Sequence, residues 1–264
     1  MTQDILLRED KNDVAILTLN TPKSLNALSD AMLATLHAEL DAIAENPKIR
    51  AVILRGTGKA FCAGHDLKEM TAARAADDAG QTYFNDLFSR CGTLMQRILT
   101  LPQPVIAQVH GIATAAGCQL VATCDMAVAA DTTRFGVNGV NIGLFCSTPM
   151  VALSRNIPRK RAFEMLTTGR FMSAQEAEAY GLINMSVHED ALDAKTLQLA
   201  QTVAGKLGKA VKIGKQAFYE QLQMPISEAY NYTGEVMAAN MMYNDTAEGV
   251  AAFLEKREPT WQNP

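Results

Sequence analysis

Two glycine- and alanine-rich segments hold the residues best placed to act on a ligand through the backbone. The first is Gly56-Thr57-Gly58-Lys59-Ala60-Phe61-Cys62-Ala63-Gly64-His65-Asp66-Leu67, and the second is His110-Gly111-Ile112-Ala113-Thr114-Ala115-Ala116-Gly117-Cys118-Gln119-Leu120. Each follows a short apolar run and precedes a helical pattern, so both read as strand-to-helix junctions. At such a junction the leading N–H groups have no intrahelical acceptor, and the helix dipole favours negative charge beside them. Small side chains let a ligand approach that backbone closely. Two N–H donors, one from each junction, can grip a single oxyanion. The same small residues also serve tight packing of strand on helix, and spacing alone leaves both readings open.

Other chemistry-bearing residues read more plainly. Asp66-Leu67-Lys68-Glu69 has the form of a capping box, so Asp66 is expected to cap a helix rather than to act on a substrate. His37 falls in a helical pattern and His188 near a strand end, neither with an evident partner. His110 ends a strand as a core histidine, and His65 matters for the position of its backbone. The five cysteines, Cys62, Cys91, Cys118, Cys124 and Cys146, are odd in number, irregular in spacing and set among apolar or small residues. Buried, reduced thiols are expected, rather than a disulfide or zinc framework. Ser/His/Asp, P-loop, Rossmann and metal-ligand spacings are absent from the sequence, and neither a metal nor a resident cofactor is expected.

The elements that must position the two junctions alternate strand and helix. Residues 13–19 form an apolar strand ended by the turn chemistry of Asn20-Thr21-Pro22. Ser29 and Asp30 start a helix in which Met32, Leu33, Leu36, Leu40 and Ile43 recur at helical spacing. Residues 51–54, 105–109 and 126–129 are continuous apolar runs of the kind a parallel sheet buries on both faces. Residues 83–101 carry a helical pattern between the first and second of these runs. Beyond about residue 147 helix follows helix. Pro158 opens one that includes Ala162, Met165 and Leu166 and stops at Gly169, Ser173-Ala174-Gln175-Glu176 is a capping-box start, and later stretches lie near 191–206, 210–223, 226–241 and 245–256.

Composition narrows the possible partners. The chain has 264 residues, 48% hydrophobic and 20% charged, with a net charge of −4 and no basic tract, so nucleic acid and anionic membranes are not expected partners. No apolar run approaches the roughly 20 residues that cross a bilayer. The start, Met1-Thr2-Gln3-Asp4-Ile5-Leu6-Leu7, has neither secretory-signal nor transit-peptide character, and a cytoplasmic location is the expectation.

At the two junctions, and over essentially its whole length, the sequence resembles the crotonase (enoyl-CoA hydratase/isomerase) superfamily. The resemblance rests on Leu25-Asn26-Ala27-Leu28, on residues 59–67, on Pro104-Val105-Ile106-Ala107, and on Gly111-Ile112-Ala113 through Cys124-Asp125. It continues at Phe135-Gly136, Gly169-Arg170-Phe171 with Ala174-Gln175-Glu176-Ala177, and Glu248-Gly249 with residues 252–257. Residues 115–122 and 139–149 are most similar to the branch of enoyl-CoA hydratase domain-containing protein 3. The resemblance implies an α/β spiral of ββα units over 1–200 and a helical oligomerisation region over 201–264, assembled as a homotrimer or a hexamer of paired trimers. It implies an acyl-CoA substrate, with coenzyme A present only as part of that substrate, and an oxyanion hole made by the backbone N–H groups of His65 and Ala116. Lys23, Leu25, Ala27, Ala63, Asp66 and Leu67 match the stretches that line the coenzyme A arm. Lys256 is matched to a coenzyme A phosphate, and Phe253 to a wall of the pocket, on the same or a neighbouring subunit.

Hydratases of the family carry one glutamate where this chain has Gln119 and a second where it has Gly139. Losing positioned acid–base catalysis costs about a hundred- to ten-thousand-fold per group, so efficient hydration is not expected. Gln119, beside the hole, is expected to touch the ligand. Asn138 and Asn141 can orient it or a water, and Cys146 and Ser147 lie in the loop where other members place a reactive group. The leading reading is an acyl-CoA enzyme of hydratase or isomerase pedigree, and the alternative is a non-catalytic acyl-CoA-binding or sequestering protein. If the acid–base pair is all that is missing, Gln119→Glu with Gly139→Glu is expected to raise crotonyl-CoA hydration, followed by loss of the conjugated thioester absorbance. Flat activity with coenzyme A binding kept points instead to a changed pocket.

Overall fold

In the computed structural model, residues 4–262 are described. The strand read at 13–19 is β2 (Val14–Leu19), buried along its whole length. It pairs antiparallel with β1 (Leu6–Lys11) and parallel with β3 (Ala51–Gly56). β4 (Val105–Val109), β6 (Met126–Ala130) and β9 (Met185–Val187) continue the parallel run, giving the order β1-β2-β3-β4-β6-β9. A second sheet joins β5 (Ile112–Thr114), β7 (Arg134–Gly136) and β8 (Phe171–Ser173) in that order. Its three-residue strands show no period in sequence, and they go unread there for that reason.

The two faces of the main sheet separate by alternation. Ala15, Leu17, Leu19, Val52, Leu54, Val105 and Ala107 face one core. Across from them Val14, Ile16, Ala51, Ile53 and Ile106 face another, as the period of two in a strand requires. The first face is covered by α1 (Asp30–Ala44) and α3 (Gln81–Thr100). Helix α1 starts where Ser29 Oγ accepts the Met32 N–H, and its buried residues are the five that recur at helical spacing in the sequence. The second face is covered by α8 (Leu192–Ala204), through Ala200 and Ala204. Helix α6 (Arg159–Thr168) ends at Gly169, and α7 (Ala174–Tyr180) begins with the capping box of Ser173 and Glu176, both as read from sequence.

The last three helices are α9 (Gly208–Gln221), α10 (Ile226–Met241) and α11 (Asn244–Glu255). A buried charge network fastens α9 to the body. Lys215 Nζ donates to Asp125 Oδ2 at 2.7 Å and to the carbonyls of Ile98 and Gln103 at 2.8 and 3.0 Å. Asp125 also accepts from Val105 N–H at 2.6 Å and from Tyr219 O–H at 2.8 Å. By contrast α10 and α11 bury few residues, and Ile226, Tyr230, Met237, Met242, Phe253 and Leu254 are each at least 70% exposed. Among the described residues no helix is long and apolar enough to cross a membrane.

Lys215→Met leaves the Asp125 carboxylate without its cation in a buried setting. Removing one partner of such a pair typically costs ~3–5 kcal/mol, so the melting temperature is expected to fall by on the order of 10 °C. A variant that melts with the wild type contradicts this role.

Candidate functional site

Strands β3 and β4 are parallel neighbours, so their carboxyl ends deliver the two junctions side by side. The junctions are then laced together: Phe61 N–H donates to the His110 carbonyl, Cys62 N–H to the Ile112 carbonyl and Thr114 N–H to the Cys62 carbonyl, at 3.0–3.2 Å. The approach is too close for side chains. A Cβ on Gly117 would lie 2.2 Å from the Cys62 carbonyl oxygen, and one on Gly64 would lie 2.9 Å from the Ala115 Cβ and 3.2 Å from the Ala116 nitrogen. Ala116 opens α4 (Ala116–Thr123) and follows Ala115, a non-glycine residue held at φ 51°. Such backbone strain concentrates at functional sites. The N–H groups of His65 and Ala116 donate to no protein acceptor among the described residues.

Beside these amides lies a cavity of about 310 Å³ lined by His65, Phe88, Ala115, Ala116 and residues 144–149. No carboxylate stands among its lining residues. The His65 ring meets Phe88 edge-on, with centroids 5.7 Å apart. Neither of its ring nitrogens has a hydrogen-bond partner of good geometry among the described residues, although both are buried. Burial lowers the pKa of this histidine; the Leu28 backbone is the next largest influence and opposes it, Arg90 adds to the lowering and Asp30 opposes it. The imidazole is therefore neutral at physiological pH. Cys146 is a buried thiol whose pKa is raised by desolvation, which makes it a poor nucleophile. All five cysteines are free and buried, as read from sequence. Among the described residues no group of three or more His, Cys, Asp and Glu residues is arranged to hold a metal ion.

The residues matched to a coenzyme A arm are gathered by Asn26, whose role the sequence did not announce. It is fully buried; its Oδ1 accepts Thr21 N–H at 2.9 Å and its Nδ2 donates to the Thr57 and Ala60 carbonyls at 2.8 Å each. Ala63 N–H donates to the Leu25 carbonyl, and Leu28 N–H to the Gly64 carbonyl. Lys23, Leu25 and Leu67 are exposed, Ala63 and Asp66 are half-buried and Ala27 is buried. Asp66 caps α2 (Leu67–Ala73) by accepting Lys68 N–H at 2.8 Å. The capping box is only half formed: Glu69 accepts Asp30 N–H, at the start of α1, instead of turning back to Asp66.

The remaining site residues scatter more widely. Gln119 lies one helical turn beyond Ala116 on α4, 4% exposed, with an unpartnered Oε1, and is not among the residues lining the cavity. Asn138 accepts the Thr114 hydroxyl at 2.6 Å, while the Asn141 amide packs against Gly169 and lies outside the cavity wall. Within one chain Phe253, 82% exposed on α11, and Lys256, just beyond that helix, do not line the cavity. Phe88 and residues 144, 145, 148 and 149 do line it. In sequence Phe88 is one more apolar residue of a helical pattern, and residues 144–149 have no periodicity to place them.

Gly139, in the 3₁₀ turn Asn138–Ile142, changes one expectation. A Cβ there would lie 2.3 Å from the Leu144 carbonyl oxygen and 2.9 Å from Cys146 Sγ, and Leu144 N–H donates to the Gly139 carbonyl. The space a glutamate side chain would leave through is occupied by main chain. Restoring two carboxylates is therefore not a simple addition, and of the two outcomes the sequence reading left open this contact favours the changed pocket.

A family model described as enoyl-CoA hydratase/isomerase matches residues 9–264. The chain belongs to this family. It is 43% identical over 253 residues to the enoyl-CoA hydratase domain-containing protein 3 of Xenopus laevis, named as mitochondrial, covering 96% of this chain and 84% of that protein. A crystal structure of an enoyl-CoA hydratase from Mycobacterium smegmatis superposes with a TM-score of 0.94 at 53% identity, covering 98% of this chain and 99% of that one. The crystal structure of human enoyl-CoA hydratase domain-containing protein 3 gives a TM-score of 0.93 at 41% identity, covering 98% and 100%. The crotonase-like α/β fold and the likeness to the protein 3 branch, both read from sequence, hold.

Gly139→Glu is expected to destabilise the fold by ~1–3 kcal/mol, as overpacking against fixed main chain does. The double variant with Gln119→Glu is then expected to leave crotonyl-CoA hydration flat. Chemical denaturation and the absorbance assay check both. The lowered pKa of His65 gives a pH dependence of known sign. Unfolded, the ring takes up a proton near pH 6.5, and folded only at lower pH, so stability falls as pH drops below about 6.5. The melting temperature of His65→Phe relative to wild type is expected to gain between pH 7 and pH 5, and a constant difference contradicts this.

Proposed function

We propose that the protein binds acyl-CoA thioesters with the thioester carbonyl oxygen between the backbone N–H groups of His65 and Ala116. The observation that carries this reading is the pair of undonated amides on two laced junctions beside an apolar cavity. Enolate-type chemistry builds negative charge on that oxygen, and each donor aimed at it contributes on the order of a hundred- to a thousand-fold in rate. Backbone donors depend little on side-chain identity, so histidine and alanine at these positions are compatible with the hole. The exposed residues Lys23, Leu25 and Leu67 are assigned to the coenzyme A arm. Gln119, one turn along α4, is assigned to orienting the acyl group or a water through its amide.

The reaction we assign is of the isomerase or lyase type of the family, without efficient hydration. An amide at 119 cannot hold or release a proton near neutral pH, and glycine at 139 has no side chain to do so. The same two residues favour a second reading, in which the protein binds acyl-CoA without turning it over. The apolar faces of α10 and α11 support assembly as a homotrimer or a pair of trimers, which would bring Phe253 and Lys256 to a neighbouring copy.

A conjugated enoyl-CoA bound between the two amides is expected to show a red-shifted absorbance, because polarising the carbonyl lowers its excitation energy. Saturable binding without any shift contradicts the oxyanion hole. Under the enzyme reading, Gln119→Ala abolishes turnover while binding persists; under the binding reading, neither protein turns over short, medium or branched enoyl thioesters.

A further inference from the structure

The Ala116 amide owes its direction to a main-chain conformation that alanine seldom holds. Ala115, directly before it, sits at φ 51° and ψ −122°. Glycine enters that region freely, whereas a Cβ crowds the neighbouring peptide atoms. The torsion ψ of Ala115 sets the plane of the next peptide, and with it the direction of the Ala116 N–H. Relaxing Ala115 toward an ordinary conformation turns that N–H away. Contacts on both flanks oppose the turn. On one side the Ala115 carbonyl accepts Gln119 N–H at 3.0 Å, which fastens it to α4, a helix buried along its whole length. On the other side the second sheet takes hold. Ala115 N–H donates to the Gly136 carbonyl at 2.9 Å, and the Thr114 hydroxyl donates to Asn138 Oδ1 at 2.6 Å. Thr114 stands opposite Gly136 in the pairing of β5 with β7, and Asn138 opens the 3₁₀ turn two residues beyond. Strain of this kind persists only where the surroundings over-determine the conformation.

Resting on the thioester reading above, we propose that Thr114 and Asn138 are a pair of positioning residues. Their hydrogen bond holds Ala115 in its positive-φ conformation and thereby aims the Ala116 N–H at the thioester carbonyl. Neither residue lines the cavity, so the effect of the pair on a bound ligand passes through the main chain of Ala115. The bond also accounts for a non-glycine residue at 115: the hydroxyl at 114 and the amide at 138 supply by contact the conformation that glycine reaches without help.

Titration of the full chain with crotonyl-CoA, read by the red shift of the bound thioester, tests this. Thr114→Val keeps the shape of the side chain and removes its donor, and is expected to lose most of the shift. Binding is expected to weaken by no more than about tenfold, the worth of one hydrogen bond. Thr114→Ser keeps the hydroxyl and is expected to keep the shift. Asn138→Ala removes the same bond from the half-buried turn and is expected to match Thr114→Val. Adding Ala115→Gly to Asn138→Ala is expected to restore the shift, because glycine holds φ 51° without strain. A full shift in Thr114→Val and Asn138→Ala, an equal loss in Thr114→Ser, or no recovery with Ala115→Gly overturns the role of the pair while leaving the oxyanion hole standing. Saturable binding to the wild type without a shift overturns both.

Discussion

The close contact between the two strand-to-helix junctions is the constraint on which the site depends. The Cys62 carbonyl lies where a side chain of residue 117 would begin, and the Ala116 nitrogen lies just beyond the Cα of Gly64. Only glycine permits that approach, and the approach brings the main chain of His65 and Ala116 to one place. The cross-junction hydrogen bonds hold it, the neighbouring ends of β3 and β4 deliver it, and Asn26 fastens the 21–27 segment to the same corner. A site built from main chain is preorganised by the fold and costs no side-chain ordering when a ligand arrives.

What the site lacks in proton-transfer groups is matched by how its far wall is made. At Gly139 the space where a side chain would begin is occupied by the Leu144 carbonyl and the Cys146 sulfur. The polar side chains lining the cavity are the His65 imidazole, the Cys146 thiol and the Ser147 and Thr148 hydroxyls, with the buried Gln119 amide one turn along α4 and outside the lining; none is a carboxylate.

Much of this was legible in the sequence because it rests on long periodic patterns. The helix from Ser29 announced itself through five apolar residues at helical spacing, and the continuous runs at 51–54 and 105–109 marked strands buried on both faces. The two junctions were readable because small residues at the end of a strand are a local signal. Contacts between distant segments were not. No periodicity in residues 144–149 indicates that they line a cavity with His65, and only the resemblance pointed to Cys146 and Ser147; nothing in Glu69 indicates that it leaves Asp66 to cap α1. Lys215 looks like any surface lysine of an amphipathic helix, yet it is buried against Asp125, ninety positions earlier in the chain. Such pairings depend on how elements meet in space, which spacing along one element does not encode.

The most direct measurement is a crystal structure of the protein with a non-hydrolysable acyl-CoA analogue. The central claim requires the carbonyl oxygen of the ligand to lie about 2.7–3.1 Å from both the His65 and the Ala116 nitrogens, with the acyl chain running between Phe88 and residues 144–149. An analogue seated elsewhere, or with its carbonyl turned away from these two amides, contradicts it.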